Sequence, residues 1–212
     1  MILEHEDASE YVEGLVGPGN ESISKAFKKS LEMRPYGVEP IDPPRGRLLE
    51  LVARISSPKR ILEIGPGVGY SALWFFQGTT RDCRLEVIEV NSQVAAELLK
   101  TMKRAGRRGK ITIHHGEALE VLPKLKGHFD CVFIDANKDE YPDYLRHSMR
   151  LTRVGSIILA DNMFWHGSVL SRKSREGTRG IIKYAQMIFR DKRLCSLIIP
   201  LGDGVGISLR VK

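Results

Sequence analysis

Cysteine is scarce in this chain and badly spaced for chemistry: Cys83, Cys131 and Cys195 are the only three in 212 residues, and no CxxC pair occurs. That argues against a disulfide framework and against a cysteine-based zinc or dithiol site. The thiols are expected to be reduced, with Cys131 and Cys195, which lie inside apolar runs, packing as small hydrophobes. No apolar run approaches the roughly 18 to 20 residues that span a bilayer. The first ten residues, MILEHEDASE, are acidic where a secretory leader is basic. A cytoplasmic chain with no membrane partner is expected. There is no low-complexity tract, internal repeat or evident linker, and 212 residues suit one substantial α/β domain better than two independent cores. A GxSxG nucleophile turn is also missing. The histidines do not converge: His114 and His115, adjacent on a strand, face opposite sides, and His166 follows Trp165 in a loop, so a zinc centre is not expected.

Positive charge is not lacking. The net charge is +7, and six of the eleven residues from Lys100 to Lys110 are Lys or Arg. A second cluster holds Arg172, Lys173, Arg175 and Arg179. Such clusters are usually solvated helix ends and loops, but they also suit anionic partners such as RNA or coenzyme-A esters.

Periodicity predicts a helix over SISKAFKKSLEM, a break at PYGVEPIDPP with its four prolines, and a helix in RGRLLELVARISS with Leu48, Leu49, Leu51, Val52 and Ile55 on one face. From residue 60 short apolar strands alternate with amphipathic helices: RILEI, LEVIEV, ITIHH, CVFID and SIILA are each followed by a turn and a helical stretch. CSLIIP and VGISLRV then pair across LGDG. This order implies an α/β fold with a mostly parallel sheet, helices on both faces and a final antiparallel hairpin. The 40 or so residues before it are the candidate for a lid or a subunit contact.

Two features carry chemistry. In ILEIGPGVGYS, Gly65, Gly67 and Gly69 follow the first strand directly, allowing a tight turn and a close ligand approach. Glu89 ends the next strand, 20 residues after Gly69, where a carboxylate can accept hydrogen bonds from ribose hydroxyls. The spacing is GxGxG rather than the dinucleotide GxGxxG, so either a dinucleotide or an S-adenosyl ligand is admitted, the second fitting better. Glu63, inside an apolar strand, needs a partner. The second feature is a pair of strand ends. FDCVFIDANK runs into Asp135 with Lys138 three residues on, and GSIILADN runs into Asp161 and Asn162. Ligands of open parallel sheets bind outside the carboxyl ends of the strands. Two carboxylates and an amide oxygen converging there make a hard site suited to Mg²⁺, with Ca²⁺ or Mn²⁺ as alternatives.

The segments ILEIGPGVGYSAL, GEALEVLP, FDCVFIDANKDEYPDYL, GSIILADNMFW and IPLGDGVGI occur in an order that resembles the class I S-adenosylmethionine-dependent O-methyltransferases of the caffeoyl-CoA and catechol type, over residues 40 to 210. The resemblance implies a Rossmann-like methyltransferase fold with a seven-stranded sheet. Residues 1–42 would form an N-terminal helical segment, a lid or dimer contact, and residues 43–212 an S-adenosylmethionine-binding core. It implies metal ligands at Asp135, Asp161 and Asn162, and catalytic roles for Lys138 and Asp135. It implies methyl-donor contacts at Glu63, Gly65, Gly67, Ser71, Glu89, Glu117, Ala118 and Asp135. The acceptor would be a small molecule with vicinal hydroxyls, catechol-like or hydroxycinnamoyl, methylated with S-adenosylmethionine and a divalent cation by a homodimer. A hydroxyuridine of tRNA is the alternative acceptor. Two departures stand out: Pro66, Gly67 and Val68 replace a Thr-Phe-Thr-like triplet, and Asn137 replaces an aspartate. An oxidoreductase on a similar sheet, or a non-catalytic binding module, would leave the strand-end residues unexplained. Phe164 and Trp165 are candidates to wall a planar acceptor.

Overall fold

The computed structural model describes residues 5–171 and 176–212, with side chains from residue 10 onward. Seven strands form one sheet in the order β3-β2-β1-β4-β5-β7-β6. They are β1 (Arg60–Ile64), β2 (Arg84–Glu89), β3 (Ile111–His115), β4 (Cys131–Ile134), β5 (Ile157–Ala160), β6 (Leu194–Ile199) and β7 (Val205–Arg210). The strands β1 to β5 pair in parallel, while β7 runs antiparallel to both β5 and β6, as the closing hairpin predicts. The helices are α1 (His5–Val16), α2 (Glu21–Glu32), α3 (Pro43–Ser56), α4 (Tyr70–Gly78), α5 (Ser92–Arg104), α6 (Ala118–Val121), α7 (Tyr141–Leu151) and α8 (Thr178–Arg190). No helix among the described residues is long and apolar enough to cross a membrane.

Because successive side chains of a strand point to opposite faces, β4 supplies two cores. Cys131 and Phe133 pack with Trp74, Phe75 and Leu49 on one side. Val132 and Ile134 pack with Tyr141, Tyr184 and Ile188 on the other. Both faces of the central strands are thus covered, which is why they read as unbroken apolar runs.

The helix α3 starts two residues before the predicted Arg45, at Pro43 behind an Asp42 cap that accepts from the Arg45 backbone N–H at 2.8 Å, because proline is well suited to a first turn that needs no N–H donor. Its apolar face differs from the expected one. Leu49, Val52 and Ala53 are buried, whereas Leu51 is 50% and Ile55 74% exposed. Leu51 and Ile55, one turn apart, share a stripe beside the face that meets α4. That meeting is close: a Cβ on Gly46 would stand 2.3 Å from the Trp74 Nε1. Gly46→Ala is expected to cost roughly 1 to 3 kcal/mol through overpacking, measurable by denaturant titration with Trp74 fluorescence as the probe. Cys195 also departs from expectation. Cys131 is buried, but Cys195 is exposed, because β6 is an edge strand with one open face. Periodicity does not pick out the helix α1, which lies within the 1–42 segment that the family resemblance implies to be helical.

Candidate active site

The sheet order reverses beside β1, with β2 on one side and β4 on the other, and such a switch point opens a crevice at the strands' carboxyl ends. Backbone hydrogen bonds fix the ends in register: Asp135 N–H donates to Ile64 O at 2.9 Å, Asp161 N–H to Ile134 O at 3.0 Å, and Gly65 N–H to Ile88 O at 3.1 Å. A cavity of about 1030 Å³ opens there, walled by the glycine turn, Ser71, Glu89, Asp135, Lys138, Asp161, Asn162, Trp165 and the segment between α2 and α3. Gly65, Gly67, Ser71, Glu89, Asp135, Lys138, Asp161 and Asn162 are therefore brought together as expected. Glu63 is fully buried beneath the wall, reached through Ser71, whose hydroxyl donates to Glu63 Oε1. Glu117 and Ala118 do not line the cavity; they begin α6, and Ala118 packs in the core. Phe164 also lies outside the cavity wall, packed close to Gly204, whereas Trp165 is in it. Of the second basic cluster, Arg172, Lys173 and Arg175 lie outside the described residues, and Arg179 is exposed.

The glycine turn works through backbone contact. Gly65 has φ +85°, and a Cβ on it would lie 2.1 Å from the carbonyl oxygen of Asp135. Only glycine lets the ends of β1 and β4 approach this closely. Glu89 is buried and accepts from Asn91 N–H at 2.8 Å; burial raises its pKa, opposed by backbone donors including Gly67. Burial pushes the Glu63 carboxyl from its ordinary 4.5 to about 8, opposed by the Ser71 hydrogen bond and reinforced by the charges of Asp135 and Glu89. Since the folded value is raised, this group's contribution to stability is full below about 4.5 and is lost as pH rises through about 8. Glu63→Gln cannot ionise. In the ligand-free protein its Tm relative to wild type is expected to climb between pH 5 and 9, and a flat difference across that range would contradict the assignment.

Lys138 is only 8% exposed, not a surface lysine. Its Nζ donates to Asp135 Oδ1 and to the Tyr141 hydroxyl, both at 2.8 Å, and lies 5.6 Å from the Trp165 ring centroid. Asn137 is exposed and acts locally: its Oδ1 accepts from Asp139 N–H at 3.2 Å and its Nδ2 donates to Glu140 at 3.2 Å, capping the 3₁₀ turn that carries Lys138. Beyond β5 the chain is strained, with Asn162, Trp165 and His166 all at positive φ. Asp203 ties this loop down by accepting from His166 N–H at 2.8 Å.

The residue that sequence reasoning missed is Arg45. Its Nη1 donates to Asp161 Oδ2 at 2.6 Å and its Nε to Asp42 Oδ2 at 3.0 Å, with 12% of the side chain exposed. Burial works against its charge, but Asp161, Asp42 and Asp135 outweigh burial and hold it ionised. The expected cation can be tested against this geometry. Asp135, Asp161 and Asn162 suit a hard ion in kind, and Asp161 Oδ1 is buried without a protein partner. Among the described residues Lys138 engages only Oδ1 of Asp135 and Arg45 only Oδ2 of Asp161, which leaves Asp161 Oδ1 open to a cation. Asp135, Asp161 and Asn162 would therefore fit a hard divalent cation.

Residues 21–211 match the O-methyltransferase family. A catechol O-methyltransferase of Niastella koreensis is 33% identical over 214 residues, covering 96% of each chain. The chain belongs to the O-methyltransferase family. This O-methyltransferase is also 26% identical to the caffeoyl-CoA O-methyltransferase of Medicago sativa, over all of its own length and 91% of the relative's. Its backbone superposes on the O-methyltransferase TomG of Streptomyces achromogenes, solved in complex with S-adenosylmethionine, with a TM-score of 0.87, 28% identity and full coverage of both chains. The methyltransferase family thus carries both the fold and the reaction class expected from its motifs: it is an S-adenosylmethionine-dependent O-methyltransferase.

Proposed function

We propose that the protein methylates one of two neighbouring hydroxyls on a small planar acceptor, catechol-like or hydroxycinnamoyl. The observation that carries this reading is the single cavity in which the glycine turn and Glu89 face Asp135, Lys138 and Trp165. The relatives of catechol and caffeoyl-CoA type support the acceptor class.

S-adenosylmethionine supplies an electrophilic methyl on a positively charged sulfur. Glu89 offers the ribose its carboxylate, Gly65 and Gly67 let the backbone close on the donor, and Asp135 sits where it can face the sulfonium. Glu63 and Ser71 back the turn from beneath. A phenol with pKa near 10 is a poor nucleophile at neutral pH. The ammonium of Lys138, in a site screened from water by Tyr141 and Trp165, stabilises the phenolate and holds it in line with the methyl group. Residues 43–212 carry this machinery, and the end of the 1–42 segment supplies a wall through Ser30, Arg34 and Val38.

No specific observation favours tRNA as the acceptor. The Lys100–Lys110 cluster spans the end of α5 and the turn into the amino end of β3, away from the strands' carboxyl ends, and two of its members are engaged, Lys100 with Glu97 at 2.6 Å and Arg107 over Phe76. A homodimer has a candidate surface in the exposed Tyr11 and Leu15 of α1 and the exposed stripe of α3, which packs on it. The deciding assay offers labelled S-adenosylmethionine with a catechol, a hydroxycinnamoyl-CoA ester and bulk tRNA in parallel. Label in either small molecule supports the proposal, and label in tRNA alone overturns it.

A further inference from the structure

Arg45 lies 116 residues from Asp161 in sequence, yet its Nη1 donates to Asp161 Oδ2 at 2.6 Å. Its Nε donates to the Asp42 carboxylate that also caps α3, and a Cβ on Gly202 would collide with both Asp42 and Arg45, so the β6–β7 loop closes directly on them. The guanidinium is thus fixed in place rather than free to swing into water. It leaves Asp161 Oδ1 buried and without a protein partner. Arg45 therefore does not bar a cation from that oxygen; it changes how strongly the oxygen attracts one. Lys138 does the same to Asp135, taking its Oδ1 at 2.8 Å. Each carboxylate that would face a divalent cation already has a fixed positive neighbour. Asp42 offsets part of the Arg45 charge, but its side chain is 28% exposed against 3% for Asp161, so water screens it more.

We propose that Arg45 keeps the cation site weak until the acceptor arrives, so that the divalent ion and the acceptor bind as a pair. The inference rests on the proposed acceptor with two neighbouring hydroxyls and on Asp135, Asp161 and Asn162 as the ligand set. A double positive charge entering a mostly buried site beside two fixed cations is repelled by both, and the low local dielectric magnifies the repulsion. The acceptor relieves it: one hydroxyl ionises, its proton goes to water, and the oxyanion brings negative charge into the cavity that Arg45 lines. Two ligands that relieve each other's cost are coupled, and the coupling is reciprocal. Whatever factor the acceptor adds to the ion's affinity, the ion adds to the acceptor's. Arg45 acts in this through Asp161 and through its charge, as a positioning residue. A guanidinium that merely aimed Asp161 would behave in the opposite sense on removal, since losing an outer partner costs a metal site roughly 10- to 100-fold in affinity.

The test reads binding rather than turnover. Full-length protein saturated with S-adenosylhomocysteine, which has no methyl to give, is titrated with Mn²⁺ in the presence and absence of catechol, and the free ion is followed by electron paramagnetic resonance. Wild type is expected to bind Mn²⁺ on the order of 10-fold more tightly with catechol present, and calorimetry to show the same factor on catechol affinity when Mn²⁺ is present. Arg45→Gln keeps an amide to donate to Asp161 but loses the charge. It is expected to bind Mn²⁺ without catechol on the order of 10-fold more tightly than wild type, and to gain correspondingly less from catechol. Arg45→Lys keeps the charge and should follow wild type. If Arg45→Gln does not fold, Arg45→Met, uncharged and of similar length, is read in the same way. Equal Mn²⁺ affinity with and without catechol in wild type overturns the proposal. So does an uncharged variant that binds Mn²⁺ no more tightly than wild type, and a weaker site in it would leave Arg45 only the aiming of Asp161. Two controls separate the levels: no thermal shift of wild type with S-adenosylhomocysteine brings down the methyltransferase reading, whereas labelled methyl appearing in catechol while Mn²⁺ binding ignores catechol brings down the role of Arg45 alone.

Discussion

Lys138→Met is expected to lower kcat by on the order of 10² to 10³ while leaving the affinity for S-adenosylmethionine within a few-fold of wild type. The asymmetry follows from where the ammonium sits. In the proposed reaction Lys138 faces the acceptor, and its ammonium is bonded to Asp135 Oδ1 and to the Tyr141 hydroxyl, close to the Trp165 ring. A positive charge fixed there costs no reorganisation when negative charge develops on the acceptor oxygen, and burial keeps it from being screened by water. Methionine has a similar length and fills the slot beside Tyr141, so the change removes charge more than volume. Some stability is expected to go as well, because Asp135 loses its cation close to Asp161, whose own carboxyl is raised by burial and by Asp135's charge. Steady-state kinetics on catechol with the donor saturating, alongside donor binding by calorimetry, measures both parts. A kcat change below tenfold would assign Lys138 a structural role only.

The second large effect is expected at Gly65. Gly65→Ala places a methyl 2.1 Å from the Asp135 carbonyl oxygen in a residue whose φ is +85°. Neither problem can be relieved by a rotamer, since a backbone atom is the obstacle and the left-handed conformation itself costs about 1 to 2 kcal/mol for a residue with a Cβ. The ends of β1 and β4 must separate, and with them the two halves of the cavity. We expect a loss of roughly 2 to 5 kcal/mol in unfolding free energy and no thermal shift with S-adenosylhomocysteine. Gly67→Ala is the control. Its φ is +52°, but the Cβ would meet only the Val38 side chain at 3.1 Å, which can give way, so partial donor binding should survive. Equal behaviour of the two variants would show that the turn tolerates its approach to Asp135 more freely than the structure implies.

The chain's local order was enough to find most of this site. A strand followed by GPGVG, a strand ending in Glu89, and two strands ending in Asp135 and Asp161 are each legible within ten residues, because a parallel βα unit delivers its strand end to one edge whatever the rest of the chain does. Lys138 was legible for the same reason, being tied to Asp135 by three residues of turn. Other features depend on neighbours that periodicity does not name. Leu51 and Ile55 looked like core because they are apolar at helical spacing, yet α3 meets α4 along Gly46, Leu49 and Ala53, leaving that stripe outside. Cys195 looked buried because its strand is apolar, but a strand at the sheet edge has one uncovered face. Asn137, which seemed a lost charge at the site, turned out to serve the turn that holds Lys138.

By itself, then, the amino-acid sequence determined the sheet, the direction of its strands and the acidic edge at their carboxyl ends, all of which are signalled by patterns among residues close along the chain. Only the tertiary structure decided what neutralises that edge. Arg45 leaves the first turn of α3 looking like any helical arginine, and nothing near it in sequence marks it for a catalytic site. Packing of α3 across α4, with the β6–β7 loop closing over it, brings the guanidinium to Asp161, where two mostly buried groups of opposite charge hold each other.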